Sequence, residues 1–282
     1  MIRSWLYCPG DAPGKILNAG VYGADGLVLD LEDSVGAENK DQARILVAEA
    51  LKALPADGPR AVRINGMASP WWEADLRSIV PAGARILRIP KVDRPDDLSA
   101  AIRLLDRLEA DLGLPSGAVR VQCILETPLG VENAFAVACA GGAERVEALC
   151  FGAEDYCAAV GLDRPGPDFA LDYPRSRVAA AAASAGIPCY DTVWADFGDA
   201  EGLERDARRA RDLGFSGKSV IHPDQIAAVH RVFAVTPEQR AWAVKVLAGG
   251  DGAATAVDGA MVDAPVRKRA ARILERAGNG DA

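Results

Sequence analysis

The stretch that decides the fold lies at residues 119–128, which read VRVQCILETP. A largely apolar and β-branched run ends there abruptly in a carboxylate, Glu126, followed by the turn residues Thr-Pro. A second apolar run, VEALCF at residues 146–151, ends in Gly-Ala-Glu-Asp, whose last residue is Asp155. Short apolar runs bounded by turn chemistry are typical of buried strands. The sequence therefore predicts two buried strands that each end in acidic residues.

Residues 130–140, between the two runs, have the composition of a helix. The order strand, helix, strand favours a parallel pair, in which both strands end at the same edge of one sheet. Glu126 and Asp155 would then lie side by side. Two adjacent carboxylates repel each other unless a cation lies between them. Oxygen ligands and an anionic substrate favour magnesium, so we predict a Mg²⁺ site at this edge.

Length, charge and cysteine content limit the classes of protein to consider. The chain has 282 residues, half of them hydrophobic, which suits one domain of barrel size. A formal net charge of −8 argues against a general binder of nucleic acid or of anionic membranes. No apolar run approaches the ~18 residues of a membrane-spanning helix, and residues 1–7 lack a signal-peptide pattern. The six cysteines form no C-x-x-C pair; we expect small core residues in a cytoplasmic protein.

Eight strand-like runs can be counted, and most are followed by a segment able to form a helix. Eight such alternations indicate a (β/α)₈ TIM barrel rather than a doubly wound sheet, and no G-x-G-x-x-G follows an early strand. We predict a catalytic barrel at residues 1–248 and a Gly-rich hinge with a C-terminal lid at residues 249–282. The runs lie at residues 4–8, 26–31, 61–64, 85–89, 119–125, 148–151, 188–192 and 217–221.

Charged residues recur at the carboxyl ends of the predicted strands, where TIM-barrel chemistry gathers. Asp30 falls within an apolar run, and a buried carboxylate needs a partner. We expect residues 30–33 to support the site, with Glu32 approaching the metal through water; a solvated acidic turn is the alternative. Arg63 lies within the third run. An arginine in a barrel core indicates a bidentate contact to a substrate oxygen, and a structural ion pair with the acidic cluster is the alternative.

The remaining motifs and the two histidines do not identify a further catalytic site. Residues 217–219 read GKS, as at the end of a P-loop, but position 212 is Asp where the first glycine should be, which excludes a nucleotide-triphosphate loop. Of the two histidines, His230 is expected on a helix surface. His222 ends the eighth run and could be an acid, a base, a structural residue or a ligand contact. No G-x-S-x-G is present, so a hydrolase nucleophile elbow is unsupported.

Taken in order, the motifs strongly resemble the citrate lyase beta-subunit-like family of CoA-ester lyases, to which malyl-CoA lyase and citramalyl-CoA lyase belong. The resemblance runs from about residue 3 to residue 275 and is specific for the superfamily rather than for the substrate. The motifs that carry it include RS at 3–4, PG at 9–10, GAD at 23–25, DLED at 30–33, RIN at 63–65, PKV at 90–92, LET at 125–127, FGAED at 151–155, DTV at 191–193, IHP at 221–223, DG at 258–259 and MVD at 261–263.

The resemblance implies a (β/α)₈ barrel assembled as trimers or hexamers. By motif, Glu126 and Asp155 are its magnesium ligands, and Arg63 is its substrate arginine. In family members with a C-terminal lid, an aspartate of the lid reaches a neighbouring subunit's site. The MVD motif places that aspartate at Asp263.

The resemblance also implies a Mg²⁺-dependent carbon–carbon lyase that cleaves or forms a 3-hydroxyacyl-CoA. Malyl-CoA, citramalyl-CoA and citryl-CoA are the candidates, and the products are a 2-oxo acid and an acyl-CoA such as acetyl-CoA. Mg²⁺ and Arg63 would stabilise the oxygens on which charge develops, and Asp263 would protonate the enolate carbon. Further candidates are Asp30 and Glu32 for the substrate, and Arg3, Lys15 and His222 for CoA.

Three alternatives stay open at this point. One is a malyl-CoA thioesterase on the same scaffold, which would use the same metal. Another is the beta subunit of a citrate lyase complex, which would act on a thioester bound to an acyl carrier. The third is a barrel that serves as a non-enzymatic scaffold, which the intact set of candidate site residues disfavours.

Overall fold

The computed structural model describes residues 1–54, 58–142, 145–164, 169–249, 255–257 and 259–278. Eight parallel strands of the described chain close into a barrel in sequence order, with β8 beside β1. This confirms the predicted (β/α)₈ barrel. The strands are β1 (Ser4–Pro9), β2 (Gly26–Asp30), β3 (Arg60–Arg63), β4 (Ile86–Ile89), β5 (Arg120–Leu125), β6 (Val146–Phe151), β7 (Cys189–Asp191) and β8 (Gly217–Val220).

Helices follow the strands along the chain. The helix expected at residues 130–140 is two short helices, which meet at Asn133, whose side chain donates to the carbonyl of Asp93 at 2.9 Å. The helices are α1 (Pro13–Asn18), α2 (Lys40–Ala53), α3 (Trp72–Ile79), α4 (Ser99–Asp111), α5 (Pro128–Glu132), α6 (Ala134–Ala138), α7 (Ala153–Val160), α8 (Asp172–Ala185), α9 (Ala200–Asp212), α10 (Asp224–Phe233), α11 (Pro237–Ala248) and α12 (Ala264–Gly278).

Alternate side chains of the strands fill the barrel interior, as the two-residue period of a strand requires. Its apolar layer includes Trp5 of β1 and Tyr190 of β7, which pack edge to face with ring centroids 5.7 Å apart. Toward the carboxyl ends the interior becomes charged. The register pairs Asp30 of β2 with Arg63 of β3, and Arg63 with Arg88 of β4. The fold therefore brings three charged residues from neighbouring strands into one layer.

A buried network of four charges joins two strands to the helices outside them. Lys218 of β8 lies with its Nζ 2.6 Å from Asp191 of β7 and 2.5 Å from Asp206 of α9. Arg175 of α8 pairs with the same two carboxylates, at 2.9 and 2.7 Å. Burial opposes ionisation of Asp206, but the charges of Lys218 and Arg175 hold its pKa well below the usual range. Two cations and two anions thus compensate one another in the interior.

The described chain divides into two compact units, one of residues 2–232 and one of Met1 with residues from 233 onward. The second unit contains α11, α12 and a two-stranded antiparallel sheet of β9 (Thr255–Val257) and β10 (Ala260–Val262). Its buried core consists of Ala243, Val246, Val262 and Ala270. The division therefore lies before the boundary expected at residue 248, which stays a prediction. The expected glycine hinge falls, beyond residue 249, outside the described residues, as does Asp258.

No helix among the described residues is both long and apolar enough to cross a lipid bilayer.

The four-charge network generates a stability prediction. Lys218→Met should lower the free energy of unfolding by ~3–5 kcal/mol, because the change leaves two buried carboxylates short of a cation. The measurement is urea unfolding followed by circular dichroism. Lys52→Met is the control, since Lys52 is half-exposed and pairs with the exposed Glu49; its cost should stay below ~1 kcal/mol. Equal losses in the two variants would contradict the prediction.

Candidate functional site

A cavity of about 210 Å³ opens at the carboxyl ends of the barrel strands. Three of the residues predicted from the sequence, Arg63, Glu126 and Asp155, line it together. They come from the ends of β3 and β5 and from the first turn of α7 after β6, which are separate in the chain. The lining also includes Tyr7, Asp33, Ile124, Cys150, Thr192 and Ser219.

The carboxylate of Glu126 is almost withdrawn from water, with 4 % of the residue exposed. Its Oε1 accepts the backbone N–H of Lys91 at 2.7 Å. Lys91 has φ +56°, a left-handed conformation that costs a non-glycine residue energy and commonly occurs at functional sites. Gly152 provides space on the other side, since a Cβ there would lie 2.6 Å from Glu126 Oε2. The backbone of two loops therefore fixes this carboxylate.

Thr127 explains why the chain turns directly after Glu126. Its Oγ1 accepts the N–H of Gly130 at 3.0 Å, which caps α5, and Pro128 occupies the first turn of that helix. The same hydroxyl donates to Asp93 in the loop after β4. The Thr-Pro pair thus ends the strand and anchors the turn that carries Glu126.

Asp155 lies in the first turn of α7, where a carboxylate interacts favourably with the helix dipole. Asp155, unlike Glu126, is exposed to solvent, and it lines the cavity. The start of α7 is held by Thr192, whose Oγ1 accepts the N–H of Ala153 at 3.0 Å. Thr192 follows β7, so the ends of the neighbouring strands β6 and β7 determine the position of Asp155.

Arg63 forms a bidentate pair with the buried Asp30, in which Nε and Nη2 donate at 2.6 and 2.7 Å. Its Nη1 lies 2.9 Å from Glu32 and 3.5 Å from Asp33. Asp30 also accepts the backbone N–H groups of Glu32 and Ser34. The ion pair considered as an alternative is therefore present. Arg63 also lines the cavity, so the pair can hold the guanidinium in place for a ligand.

Glu32 belongs to this charged layer and is buried, which excludes a solvated turn for Asp30 and Glu32; only Asp33 is exposed. Lys91 Nζ donates to Glu32 Oε1 at 3.0 Å. Burial raises the pKa of Glu32, against the opposing charge of Arg63. The carboxylate thus links the Arg63 side of the cavity to Lys91, whose backbone holds Glu126.

The electrostatics of Glu126 suit a bound cation. Burial, followed by the charges of Glu32 and Asp155, raises the pKa of Glu126 to about 8. A divalent cation beside the carboxylate would favour its ionised form. No group of three or more His, Cys, Asp or Glu side chains among the described residues could hold a metal. A pair of carboxylates with water completing the sphere is the pattern that Mg²⁺ uses, so Glu126 and Asp155 fit this ion.

The candidate CoA residues are dispersed. Arg3 precedes β1 and pairs at 2.9 Å with Asp25, which precedes β2. It therefore lies at the amino-terminal end of the barrel, opposite Glu126. Lys15 is exposed on α1. His222 follows β8 at the carboxyl end, where its ring stacks on Phe197 with centroids 5.4 Å apart.

Asp263, the predicted lid residue, belongs to the second unit. Its Oδ1 accepts the N–H of Val266 at 3.2 Å at the start of α12.

The expectation that His230 lies on a helix surface is wrong. Its side chain is 18 % exposed, and its Nε2 lies 2.8 Å from the hydroxyl of the buried Ser4. Helix α10 therefore turns His230 inward toward β1, and burial lowers its pKa against the opposing charge of Asp25.

Several residues in or next to the cavity wall were given no role from the sequence. They include Lys91, which holds Glu126 and Glu32, Thr192, and the group of Tyr7, Arg88 and Ser219 inside the barrel. Arg88 had a visible signal, because it interrupts the apolar run ILRI of β4. The positive φ of Lys91 leaves no trace in the sequence.

Most of the chain matches a known protein family. Residues 3–223 match the family described as HpcH/HpaI aldolase/citrate lyase. The chain belongs to this family. It is 36 % identical to the citrate lyase subunit beta of Escherichia coli K12 over 282 residues, which cover 98 % of the chain and 93 % of the relative. It is 33 % identical to the mitochondrial citramalyl-CoA lyase of Rattus norvegicus, with coverages of 96 % and 85 %.

Among solved structures, one similar to the chain is the protein CitE from Mycobacterium tuberculosis in complex with magnesium, acetoacetate and coenzyme A. The TM-score is 0.81 at 31 % identity, and 98 % of each chain is covered. These comparisons confirm the family, the barrel fold and the class of enzyme, a lyase, that the sequence predicted.

The raised pKa of Glu126 predicts how pH changes the stability of the metal-free protein. The folded protein binds this proton up to about pH 8, whereas an unfolded glutamate loses it near 4.3. The bound proton on Glu126 therefore contributes fully to the free energy of unfolding below pH ~4.3. This contribution, on the order of a few kcal/mol, is lost as the pH rises to 8. Glu126→Gln should remove this loss.

The measurement is urea unfolding in chelator at pH 5, 6.5 and 8. Wild type should lose more stability between pH 5 and pH 8 than Glu126→Gln does. Glu49→Gln, at an exposed position of α2, is the control and should follow wild type. Parallel pH profiles for wild type and Glu126→Gln would refute the assignment.

Proposed function

We propose that this protein is a Mg²⁺-dependent carbon–carbon lyase of the CoA-ester type. It converts a 3-hydroxyacyl-CoA into a 2-oxo acid and an acyl-CoA, or catalyses the reverse reaction. The single observation that carries the proposal is the convergence of Glu126, Asp155 and Arg63 on one cavity at the barrel mouth. The citrate lyase and citramalyl-CoA lyase relatives and the magnesium complex of CitE support it.

Glu126 and Asp155 would hold the Mg²⁺ ion. When bound, the ion supplies Lewis-acid stabilisation for oxygens that gain negative charge. Lys91 and Gly152 hold Glu126 in position for this task. Because Glu126 has a raised pKa, it must release a proton when the ion binds, and we expect magnesium affinity to rise as pH approaches 8.

Arg63 is the proposed substrate residue. Asp30 occupies its Nε and Nη2 from within the barrel, which fixes the plane of the guanidinium. Nη1, shared with Glu32 and Asp33, is the donor that a substrate oxygen can take. A donor fixed before the reaction stabilises charge without reorganisation, which is the main source of electrostatic catalysis.

Cleavage moves two electron pairs and, in net balance, one proton from oxygen to carbon. The substrate hydroxyl loses its proton to water, and the O–H pair forms the carbonyl of the 2-oxo acid. The pair from the broken carbon–carbon bond forms the thioester enolate. Arg63 would donate to the oxo-acid oxygen throughout. We propose Asp263 as the acid that protonates the enolate carbon, acting in a neighbouring subunit of a homotrimer or hexamer. The resemblance of the MVD motif supports this role, and the exposed cavity needs a cover that excludes water.

Lys15 and His222 remain proposed contacts for CoA, since they follow β1 and β8. Arg3 does not enter the proposed site, because it lies at the other end of the barrel. The described cysteines are all free, and five of the six are buried. This supports a reducing compartment such as the cytoplasm.

Product analysis tests the proposal against its alternatives. Malyl-, citramalyl- and citryl-CoA are incubated with Mg²⁺, and the products are identified. A lyase gives acetyl-CoA and a 2-oxo acid, whereas a thioesterase gives free CoA and the hydroxy acid. The similarity to citrate lyase beta subunits favours a second candidate, a subunit acting on a carrier-bound thioester. Activity of the isolated chain only on such a thioester would identify it.

The metal assignment predicts two inactive variants. Glu126→Gln and Asp155→Asn should each lose Mg²⁺-dependent turnover by at least ~100-fold, because each removes an anionic ligand. Isothermal titration with Mg²⁺ should show weakened binding in both. Glu154→Gln is the control, since Glu154 precedes Asp155 in the same turn but pairs with Arg164. Wild-type magnesium affinity in either test variant would reject the assignment.

The role of Arg63 depends on the planar set of donors of its guanidinium group and not on its charge alone. Arg63→Lys should lose ~2–4 kcal/mol of transition-state stabilisation, because an ammonium cannot bind Asp30 and a substrate oxygen in the same plane. The measurement is kcat/KM with the preferred thioester. Arg60→Lys is the matched control in the same strand, at the opposite end of the barrel. Near-normal kcat/KM for Arg63→Lys would show that Arg63 does not bind the substrate and serves only in the ion pair with Asp30.

Mixed oligomers test whether Asp263 acts in a neighbouring subunit. Asp263→Asn should bind Mg²⁺ and turn over poorly, as should Arg63→Lys. After subunit exchange between the two variants, some sites would combine an intact Arg63 with an intact Asp263. Activity should then exceed that of either parent, and its absence despite verified exchange would argue against sharing.

A further inference from the structure

Arg88 places a positive charge directly behind the wall of the catalytic cavity. It is fully buried inside the barrel. Its Nε and Nη2 donate to Gln122 Oε1 at 2.9 and 2.6 Å. Nη1 donates to the hydroxyl oxygens of Tyr7, at 3.1 Å, and Ser219, at 3.4 Å. Buried charges ordinarily have a counter-charge, yet no carboxylate of the described residues forms an ion pair with Arg88.

The two hydroxyl groups are oriented by this contact. A guanidinium can only donate, so the oxygens of Tyr7 and Ser219 are acceptors toward Arg88 and their own protons point elsewhere. Within the described part of the chain, neither proton has a protein acceptor. Both residues line the cavity. The inner wall therefore offers two hydrogen-bond donors with a cation behind them.

The ring of Tyr7 is fixed between two guanidinium groups. Arg63 lies 5.0 Å and Arg88 5.4 Å from the ring centroid, within the range of cation–π contacts. Burial raises the pKa of Tyr7, although both arginines oppose the shift, so the phenol keeps its proton. Tyr7 thus connects the charged layer of Arg63 to the buried Arg88.

We propose that Tyr7 and Ser219, backed by Arg88, form a carboxylate subsite on the inner wall of the cavity. The inference rests on the proposed lyase function and specifies its substrate class. A 3-hydroxyacyl-CoA whose 2-oxo acid half carries a second carboxylate, as in a citryl thioester, supplies an acceptor for both hydroxyls and a counter-charge for Arg88. A methyl group at that position, as in a citramalyl thioester, satisfies neither.

One cavity contains both the predicted catalytic residues and the proposed subsite, and its size suits a small acid. Arg63, Glu126 and Asp155 would take the carboxylate and oxygen next to the reacting bond. Tyr7 and Ser219 line the same cavity, together with Ile124 and Cys150 of the barrel interior. One small acid can therefore contact both groups within a cavity of about 210 Å³. The two carboxylates of the acid would then be recognised by separate groups.

Binding of two stable acids tests the subsite without relying on turnover. Malate carries the second carboxylate, and 2-hydroxybutyrate replaces it with a methyl group. Isothermal titration of the Mg²⁺-loaded protein should show malate bound at least ~10-fold more tightly, as expected for charge-assisted hydrogen bonds. In a Tyr7→Phe, Ser219→Ala double variant the ratio should fall below about threefold, while 2-hydroxybutyrate binds as in wild type.

Tyr190→Phe is the matched control, because it removes a tyrosine hydroxyl from the barrel interior away from the cavity lining; it should keep the wild-type ratio. The two single variants are measured as well, with thermal unfolding to verify the fold. Equal affinities in wild type, or an unchanged ratio in the double variant, would overturn the subsite. A malate preference lost in the double variant supports it even if the thioester panel shows no lyase activity, a result that would overturn only the proposed reaction.

Discussion

The withdrawal of one carboxylate, Glu126, from water is the constraint on which the site depends. A carboxylate in this position is costly when ionised, and the described residues compensate it only partly, with the backbone N–H of Lys91 and the charge of Arg63. That N–H is available because Lys91 adopts a left-handed conformation, and the space exists because residue 152 is glycine. Local strain and a missing side chain thus maintain a carboxylate that a cation would complete.

Charges of one layer of the barrel interior differ in how they are compensated. Asp30 and Glu32 compensate Arg63 directly. Arg88, which the register pairs with Arg63, is fully buried and has only neutral partners among the described residues, and the ring of Tyr7 lies close to both guanidiniums. On the face of the strands that packs against the helices, buried charges are compensated within the protein, because Lys218 and Asp191 form a four-charge network with Arg175 and Asp206. The charges of that network compensate one another, whereas the uncompensated Arg88 lies behind Tyr7 and Ser219 in the wall of the cavity.

The sequence predicted the barrel because strand period and turn chemistry are local properties. All eight runs became strands with boundaries within about two residues, and parallel pairing then required Glu126 and Asp155 to meet. Predictions that depended on which way a side chain turns were less secure. His230 faces Ser4 rather than solvent, and Arg3 lies at the wrong end of β1 for the proposed site. The helix at 130–140 broke at Asn133, whose side chain bonds to another loop.

By itself, then, the sequence determined the order of strands and helices, the acidic strand ends and the family motifs, since each is written in residues close together in the chain. Only the tertiary structure decided which charges are compensated. Arg63 faces Asp30 because β2 and β3 pair in one register, and Arg88 meets Tyr7 and Ser219 because the barrel closes. Burial, and with it the raised pKa of Glu126, is a property of the packed assembly, because desolvation depends on every neighbour that excludes water.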